Sequence, residues 1–438
     1  MPQSESKGGR QTEAPADSAG RSGVGRGLLS DLFSRELLRY LGPGFVVTIG
    51  FIDPGNWATN IAGGSQFGFQ LLWIISLSTL MLIFLQHIAA RLGIVSGRSL
   101  AANVRSRFSR PWVWIFGLTI VAACAATQLA EYLGAALGFS LLLHIPVYVG
   151  APLTLVINYL LIAGRQYDNL ERVIVAFLAV IALCYIVELY VVHPDWAGAV
   201  PHWVIPSLSG KSVLIGMAML GAIVMPHNIY LHSDVILSRE WDVEPRHRIR
   251  LMRFELVDTT LAMGLGWLVN SAMIIVAAAV FFRHGITVDS IGRASQTLRP
   301  LAGSLSQLLF GVGLLAAGLS SSVTSTLATA NVICSYLGRP ADPHSRLFKQ
   351  AVALVPIIPI IVIASGLNPF RVLILSQVVL SLQLPLTIVP LLLLARRHDV
   401  MGDMRLRSLG SSVGWLIATV IIGLNLFLLY QTFFPGGI

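Results

Sequence analysis

Asp53 and His227 stand inside apolar stretches, each beside a helix-breaking proline. The stretches are Val46-Val-Thr-Ile-Gly-Phe-Ile-Asp-Pro-Gly-Asn56 and Met217-Ala-Met-Leu-Gly-Ala-Ile-Val-Met-Pro-His-Asn228. A carboxylate deep in hydrocarbon costs about 2.5–3.5 kcal/mol even on insertion scales. A proline there releases backbone carbonyls that lipid cannot satisfy. Two such interruptions, far apart in the chain, point to a transporter's binding site. They offer a carboxylate (Asp53), an amide (Asn56), a thioether (Met225) and freed carbonyls. That mixture suits a divalent transition metal.

Residue 53 precedes a proline and is pushed out of helical geometry. Gly55 is a second breaker, so the unwound turn exposes the carbonyls of residues 50–52, Gly50 included. Asp is also a good N-cap, and a simple kink with a capped second half-helix is the competing reading. Pro226 has no N–H to return to the carbonyl of Ala222. A lone methionine is ordinarily packing; the neighbouring break and its match at Asp53 favour ligation by Met225. His227 and His232 are five apart, about 140° around a helix, and do not form a two-histidine zinc face. Beside a cation site they read as proton-responsive groups, with hydrogen-bonded structural histidines as the alternative. Glu131, mid-span, is a proton-relay candidate, or a protonated carboxyl bonded to a neighbouring helix. Glu188 and Asp258 lie nearer span ends and read as interfacial, and Asp234 as facing an aqueous vestibule. Gln377 adds an oxygen ligand or an interhelical hydrogen bond, and Ser320–Ser322 read as small-residue packing.

These residues need a membrane around them. The chain is 55% hydrophobic and 12% charged, against about 25% charged in soluble domains. It reads as an all-α polytopic membrane protein, and its net charge of +9 does not indicate nucleic acid. Cys124, Cys184 and Cys334 lie in apolar segments without a CxxC, so neither a disulfide nor a zinc ribbon is expected. Residues 1–41 form a cytoplasmic tail whose first 30 residues, rich in Gly, Ser and charge, read as disordered. Eleven spans follow, near 42–66, 70–94, 112–138, 147–164, 172–192, 212–238, 254–282, 304–336, 349–366, 370–395 and 411–433. The fourth and ninth are short, and Pro356 and Pro359 blur the ends of the ninth. Of the 30 Lys and Arg, all but Lys211, Arg283, Arg293, Arg299 and Arg371 fall on the N-terminal side. That asymmetry places the N-terminus in the cytoplasm and the C-terminus outside. The breaks fall in spans one and six, equivalent places in two five-span halves (42–192 and 212–395). Five is odd, so the halves are inverted repeats, with 411–433 appended.

Asp53-Pro-Gly-Asn56, Ala58-Thr-Asn60 and Met225-Pro-His-Asn-Ile-Tyr-Leu-His-Ser233 resemble the Nramp family of divalent-metal transporters over residues 40–433. The resemblance implies a LeuT-like 5+5 inverted-repeat fold, helices one and six unwound mid-membrane, and inward transport of Mn2+ or Fe2+ with protons. It implies Asp53, Asn56 and Met225 as metal-binding side chains, the carbonyls of Gly50 and Ala222 as alternating backbone ligands, and Gln377 as a ligand in some states. His227 and Glu131 match proton-linked positions. Two departures bear on the proton route. Gln128 stands where the family commonly has an aspartate, and only Arg346 and Lys349 stand near a usual arginine pair at span nine. Gln128 cannot titrate, which implies weaker or rerouted coupling.

The leading reading is a proton-linked Mn2+ or Fe2+ importer of a bacterial plasma membrane. The metal is cargo and the proton a coupling ion; no cofactor and no obligate protein partner are indicated. The alternatives are a LeuT-like symporter for Mg2+ or an amino acid, or a metal uniporter with weak proton coupling. Against an amino acid, a fixed Asp repels the substrate carboxylate. Against Mg2+, a hydrated hard ion has little use for a thioether. An intramembrane metalloenzyme lacks any catalytic spacing, so the chain does not read as an enzyme. A channel conflicts with a deep multi-ligand site.

Overall fold

Eight helices among the described residues are long and apolar enough to cross a bilayer. They fall where the sequence places spans two, three and six to eleven. The computed structural model describes residues 52–162, 187–238, 245–299 and 306–433, with isolated positions at 44, 47, 48, 183, 185 and 303. The tail (1–41), part of span one, most of span five, Gly50 and Cys184 lie outside the described residues. No strand occurs among those described.

The second half of span one is α1 (Pro54–Phe67). Then come α2 (Leu72–Ser96), the short α3 (Leu100–Arg107), α4 (Arg110–Leu143) and α5 (Val147–Ile162). Span six is two pieces, α6 (Val213–Ile223) and α7 (Pro226–Val235). Then come α8 (Pro245–Val280) and α9 (Ser306–Leu337). Span nine is also split, into α10 (Arg346–Leu354) and α11 (Ile357–Ala364), because Pro356 cannot continue the ladder. Last are α12 (Pro369–Arg396) and α13 (Ser408–Phe433). At 34 residues, α4 is longer than the roughly 20 a bilayer needs.

Prolines set the two central breaks. Asp53 is extended (φ −89°, ψ 167°) and Pro54 occupies the first turn of α1, where its missing N–H is harmless. Val224 (φ −91°, ψ 68°) and Met225 (φ −71°, ψ 122°) leave helical geometry together, and Pro226 restarts the chain as α7.

Polar side chains sort the helices into two groups. On one side, Asn60 of α1 donates to Asn270 of α8 at 2.5 Å. Gly44 N–H donates to Asp258 at 2.7 Å. His232 Nδ1 of α7 lies 2.9 Å from Gln86 Oε1 of α2. On the other, Gln128 of α4 donates to Thr329 of α9 at 3.1 Å. Asn158 of α5 donates to the Tyr132 hydroxyl at 3.3 Å and accepts from Ser322 at 3.1 Å. Between the groups, the seam where α1 meets α9 is apolar: the Trp57 ring packs edge-on to Phe310, centroids 5.3 Å apart. Three side-chain bonds join α7 to α4 and α9: Thr127 with His227, Tyr230 with Tyr336, and Asn331 donating to Asp234. Of the serines 320–322, Ser320 and Ser321 bond back to the carbonyl of Ala317 within α9, and Ser322 donates to Asn158 of α5.

The α6 half-helix lies backbone to backbone on α12. A Cβ on Gly221 would collide with the Gln377 carbonyl oxygen and stand 2.7 Å from Ser381 N. Gly221→Ala must therefore separate the two helices. The expected loss is about 1–3 kcal/mol, the usual range for overpacking, seen as a lower melting temperature of the purified protein. An unchanged melting temperature would mean the helices part freely.

Candidate metal site

The two breaks face each other. Asn56 Nδ2, in the first turn of α1, donates to the carbonyl of Ala222 at 2.8 Å. That carbonyl belongs to the last turn of α6 and has lost its helical partner to Pro226. Residues 166 positions apart in sequence thus meet through the atoms the breaks set free.

Asp53 and its surroundings are fully buried. Its Oδ2 accepts from Gly55 N–H at 3.0 Å and its Oδ1 from Asn56 N–H at 2.9 Å. The capping role weighed against ligation is therefore real. It does not exclude ligation, since each carboxylate oxygen has a second lone pair. Capping also fixes the carboxylate at the N-terminus of α1.

Gln377 of α12 stands against the same turn. A Cβ on Gly55 would overlap the Gln377 amide nitrogen and lie 2.8 Å from Asp53 Oδ2. Only a residue without a side chain lets the Gln377 amide approach this closely. Gln377 Nε2 donates to Ser376 at 3.2 Å, while its Oε1 is buried without a hydrogen-bond partner. A buried amide oxygen without a partner, on a side chain packed against the Asp53 turn, is a group that a bound cation would satisfy. Met225 is wholly buried at the other break, and its sulfur accepts from Asn228 Nδ2 at 3.6 Å. Among the described residues, no group of three or more His, Cys, Asp or Glu side chains is placed to hold a metal. The polar and sulfur groups at the two breaks are instead mixed, with one charge: Asp53, Asn56, the Ala222 carbonyl, Met225 and Gln377.

The candidate proton groups occupy separate places. Glu131 lies on α4, one turn before Gly134, where a Cβ would overlap the Pro54 ring. The carboxylate therefore sits beside the start of α1. Ser325 of α9 donates to its Oε2, and Oε1 is buried without a partner. His227 Nδ1 lies 3.2 Å from Thr127 Oγ1, its Nε2 buried and unpartnered. His232 faces elsewhere, as five-residue spacing requires. Its Nε2 is 3.9 Å from Glu255 Oε1, and Glu255 Oε2 is 2.7 Å from His87 Nδ1. Thr259 also donates to Glu255 at 2.9 Å.

Glu188 and Asp258, expected near span ends, are buried within the protein. Glu255 and His87 drew no attention in the sequence, because their pairing depends on α2 packing against α8. Asp234 does line cavities at the end of α7, as a vestibule residue would.

The family model described as natural resistance-associated macrophage protein-like, Nramp, matches residues 44–431. A divalent metal cation transporter, MntH, of Clostridium acetobutylicum is 43% identical over 402 residues, 91% of this chain and 92% of that protein. The MntH of Deinococcus radiodurans is 41% identical over 404 residues, 91% of each. A mutant of the Eremococcus coleocola manganese transporter superposes with a TM-score of 0.80 at 29% identity, covering 92% of this chain and 89% of that one. At 15% identity, Mhp1, a nucleobase-cation-symport-1 family transporter, shares the fold with a TM-score of 0.60 over 89% of this chain and 91% of its own. The architecture is accordingly the LeuT-like one, with its first and sixth helices unwound.

Proposed function

The chain belongs to the Nramp family, a multi-pass membrane transporter family, and from that premise we propose that it imports Mn2+ or Fe2+ into the cytoplasm together with protons. The observation that carries the reading is the hydrogen bond from Asn56 to the Ala222 carbonyl, which brings the two helix breaks to one point beside Asp53. There Asp53, Asn56, Met225 and the Ala222 carbonyl bind the ion, with Gln377 joining from α12. Gly50, outside the described residues, supplies a carbonyl in the alternate state. Binding exchanges the Asn56–Ala222 and Asn228–Met225 hydrogen bonds for coordination bonds.

We place the protein in a bacterial-type plasma membrane with its N-terminus inside and its C-terminus outside. The repeats are 42–192 and 212–395, with 1–41 a cytoplasmic tail and 411–433 an added helix. The basic-residue asymmetry supports that orientation. The proton route uses Glu131, His227 and His232. Gln128 is committed to Thr329 and carries no proton, so a metal uniporter with weak coupling is the second reading. A panel of divalent metals offered to proteoliposomes, with internal pH recorded in the same vesicles, separates the two. Uptake of Mn2+ without any acidification would leave the uniporter.

Met225→Ala tests the class of cargo. Losing the one soft donor and admitting water favours hard ions. Ca2+ and Mg2+ are expected to compete on the order of tenfold better against Mn2+, while Mn2+ binding itself weakens less. Inhibition curves for Ca2+ and Mg2+ identical to wild type would remove the thioether from the site.

A further inference from the structure

A cavity of about 1030 Å³ opens between the end of α2, α3, the start of α4, and the ends of α7 and α9. Arg98, Arg105, Arg110 and Arg339 line it. None of the four guanidinium groups makes a hydrogen bond or ion pair with any described residue, whereas neighbouring Arg107, outside the cavity lining, pairs with Asp399 at 2.6 Å. Asp234 is the single carboxylate in the lining, and its side chain is engaged by Asn331. Arg105 is positioned rather than loose. Its guanidinium lies over Gly338, at φ +71°, in space that any Cβ would occupy. At the rim Trp114 is 60% exposed, as expected of an aromatic ring at a membrane interface.

Four like charges gathered around a hollow whose described lining holds one carboxylate repel one another, and a fold tolerates this most easily where an anion completes the site. Guanidinium forks match phosphate oxygens in pairs. Basic pockets between membrane helices on the cytoplasmic side take phospholipid headgroups. We propose that this cavity binds a phosphate group, carried by an anionic phospholipid whose chains leave past Trp114. Asp234 and Leu237, at the end of α7, form part of its wall. An occupant therefore bears on the half-helix that continues from the metal site. The inference rests on the orientation proposed above only for which leaflet supplies the lipid; binding in detergent does not depend on it.

The test is native mass spectrometry of the purified full chain, counting phosphatidylglycerol retained. The triple variant Arg98→Gln, Arg105→Gln, Arg339→Gln is expected to bind it on the order of a hundredfold more weakly. Arg98→Lys, Arg105→Lys, Arg339→Lys keeps most binding. Arg283→Gln, Arg293→Gln, Arg299→Gln, at the other end, keeps all of it. Mn2+ uptake in phosphatidylcholine vesicles checks that each variant folds. In a second arm, inorganic phosphate is titrated calorimetrically into phosphatidylcholine nanodiscs. Phosphate heat lost in the pocket variant, with lipid retention unchanged, makes free phosphate the ligand and overturns the lipid assignment. Equal retention in all variants without phosphate heat, or equal loss in both Gln triples, overturns the site.

Discussion

Asp53→Ala is expected to abolish Mn2+ uptake, a loss of at least about a hundredfold if it removes the only fixed charge among the donors. The side chain also caps α1, so a loss of function alone is ambiguous. Losing the cap costs about 1 kcal/mol, too little to unfold a protein of this size. Asp53→Asn separates the roles. Asparagine caps nearly as well as aspartate but leaves a divalent ion uncompensated. Both variants should melt within a few degrees of wild type and both should be inactive. The measurement is Mn2+ uptake into proteoliposomes beside a melting curve. Wild-type uptake by Asp53→Asn would mean that Asp53 is a cap alone.

The second large effect concerns protons. In Glu131→Gln, Mn2+ uptake is expected to persist while metal-driven acidification of the vesicle interior falls by on the order of tenfold or more, since an amide cannot relay a proton. Glutamine preserves the shape and can still accept from Ser325. Glu131 lies on α4, outside both broken helices, so ligation and proton movement are separable there. Acidification per Mn2+ equal to wild type would remove Glu131 from the route. The same measurement on Glu255→Gln then decides whether protons pass by His232, Glu255 and His87 instead, a chain whose last member is a quarter exposed.

What the sequence made legible was local. Asp53-Pro54 and Met225-Pro226 announce themselves because a charge and a missing N–H are costly in hydrocarbon wherever they occur. Both breaks lie where those residues put them. The apolar runs are equally local, and eight spans appear as expected. What stayed hidden depends on tertiary contact. Glu255 and His87 are 168 residues apart and look like unrelated groups until α2 and α8 pack. Capping and ligation by Asp53 looked like rivals because type and spacing cannot show how many lone pairs a backbone turn consumes. Gln377 looked like any interhelical amide. Only its contact with Gly55, 322 positions away in sequence, places it beside the Asp53 turn.

The sorting of polar bonds into two helix groups has a mechanical consequence. Among the described residues, three side-chain bonds join α7 to α4 and α9. Interhelical hydrogen bonds in membranes average about 0.6 kcal/mol, so parting all three costs only a few kcal/mol. A divalent ion driven inward gains roughly twice 2.3 kcal/mol per 100 mV. The electrical work done on a single arriving ion is thus of the same order as those three bonds between the two groups.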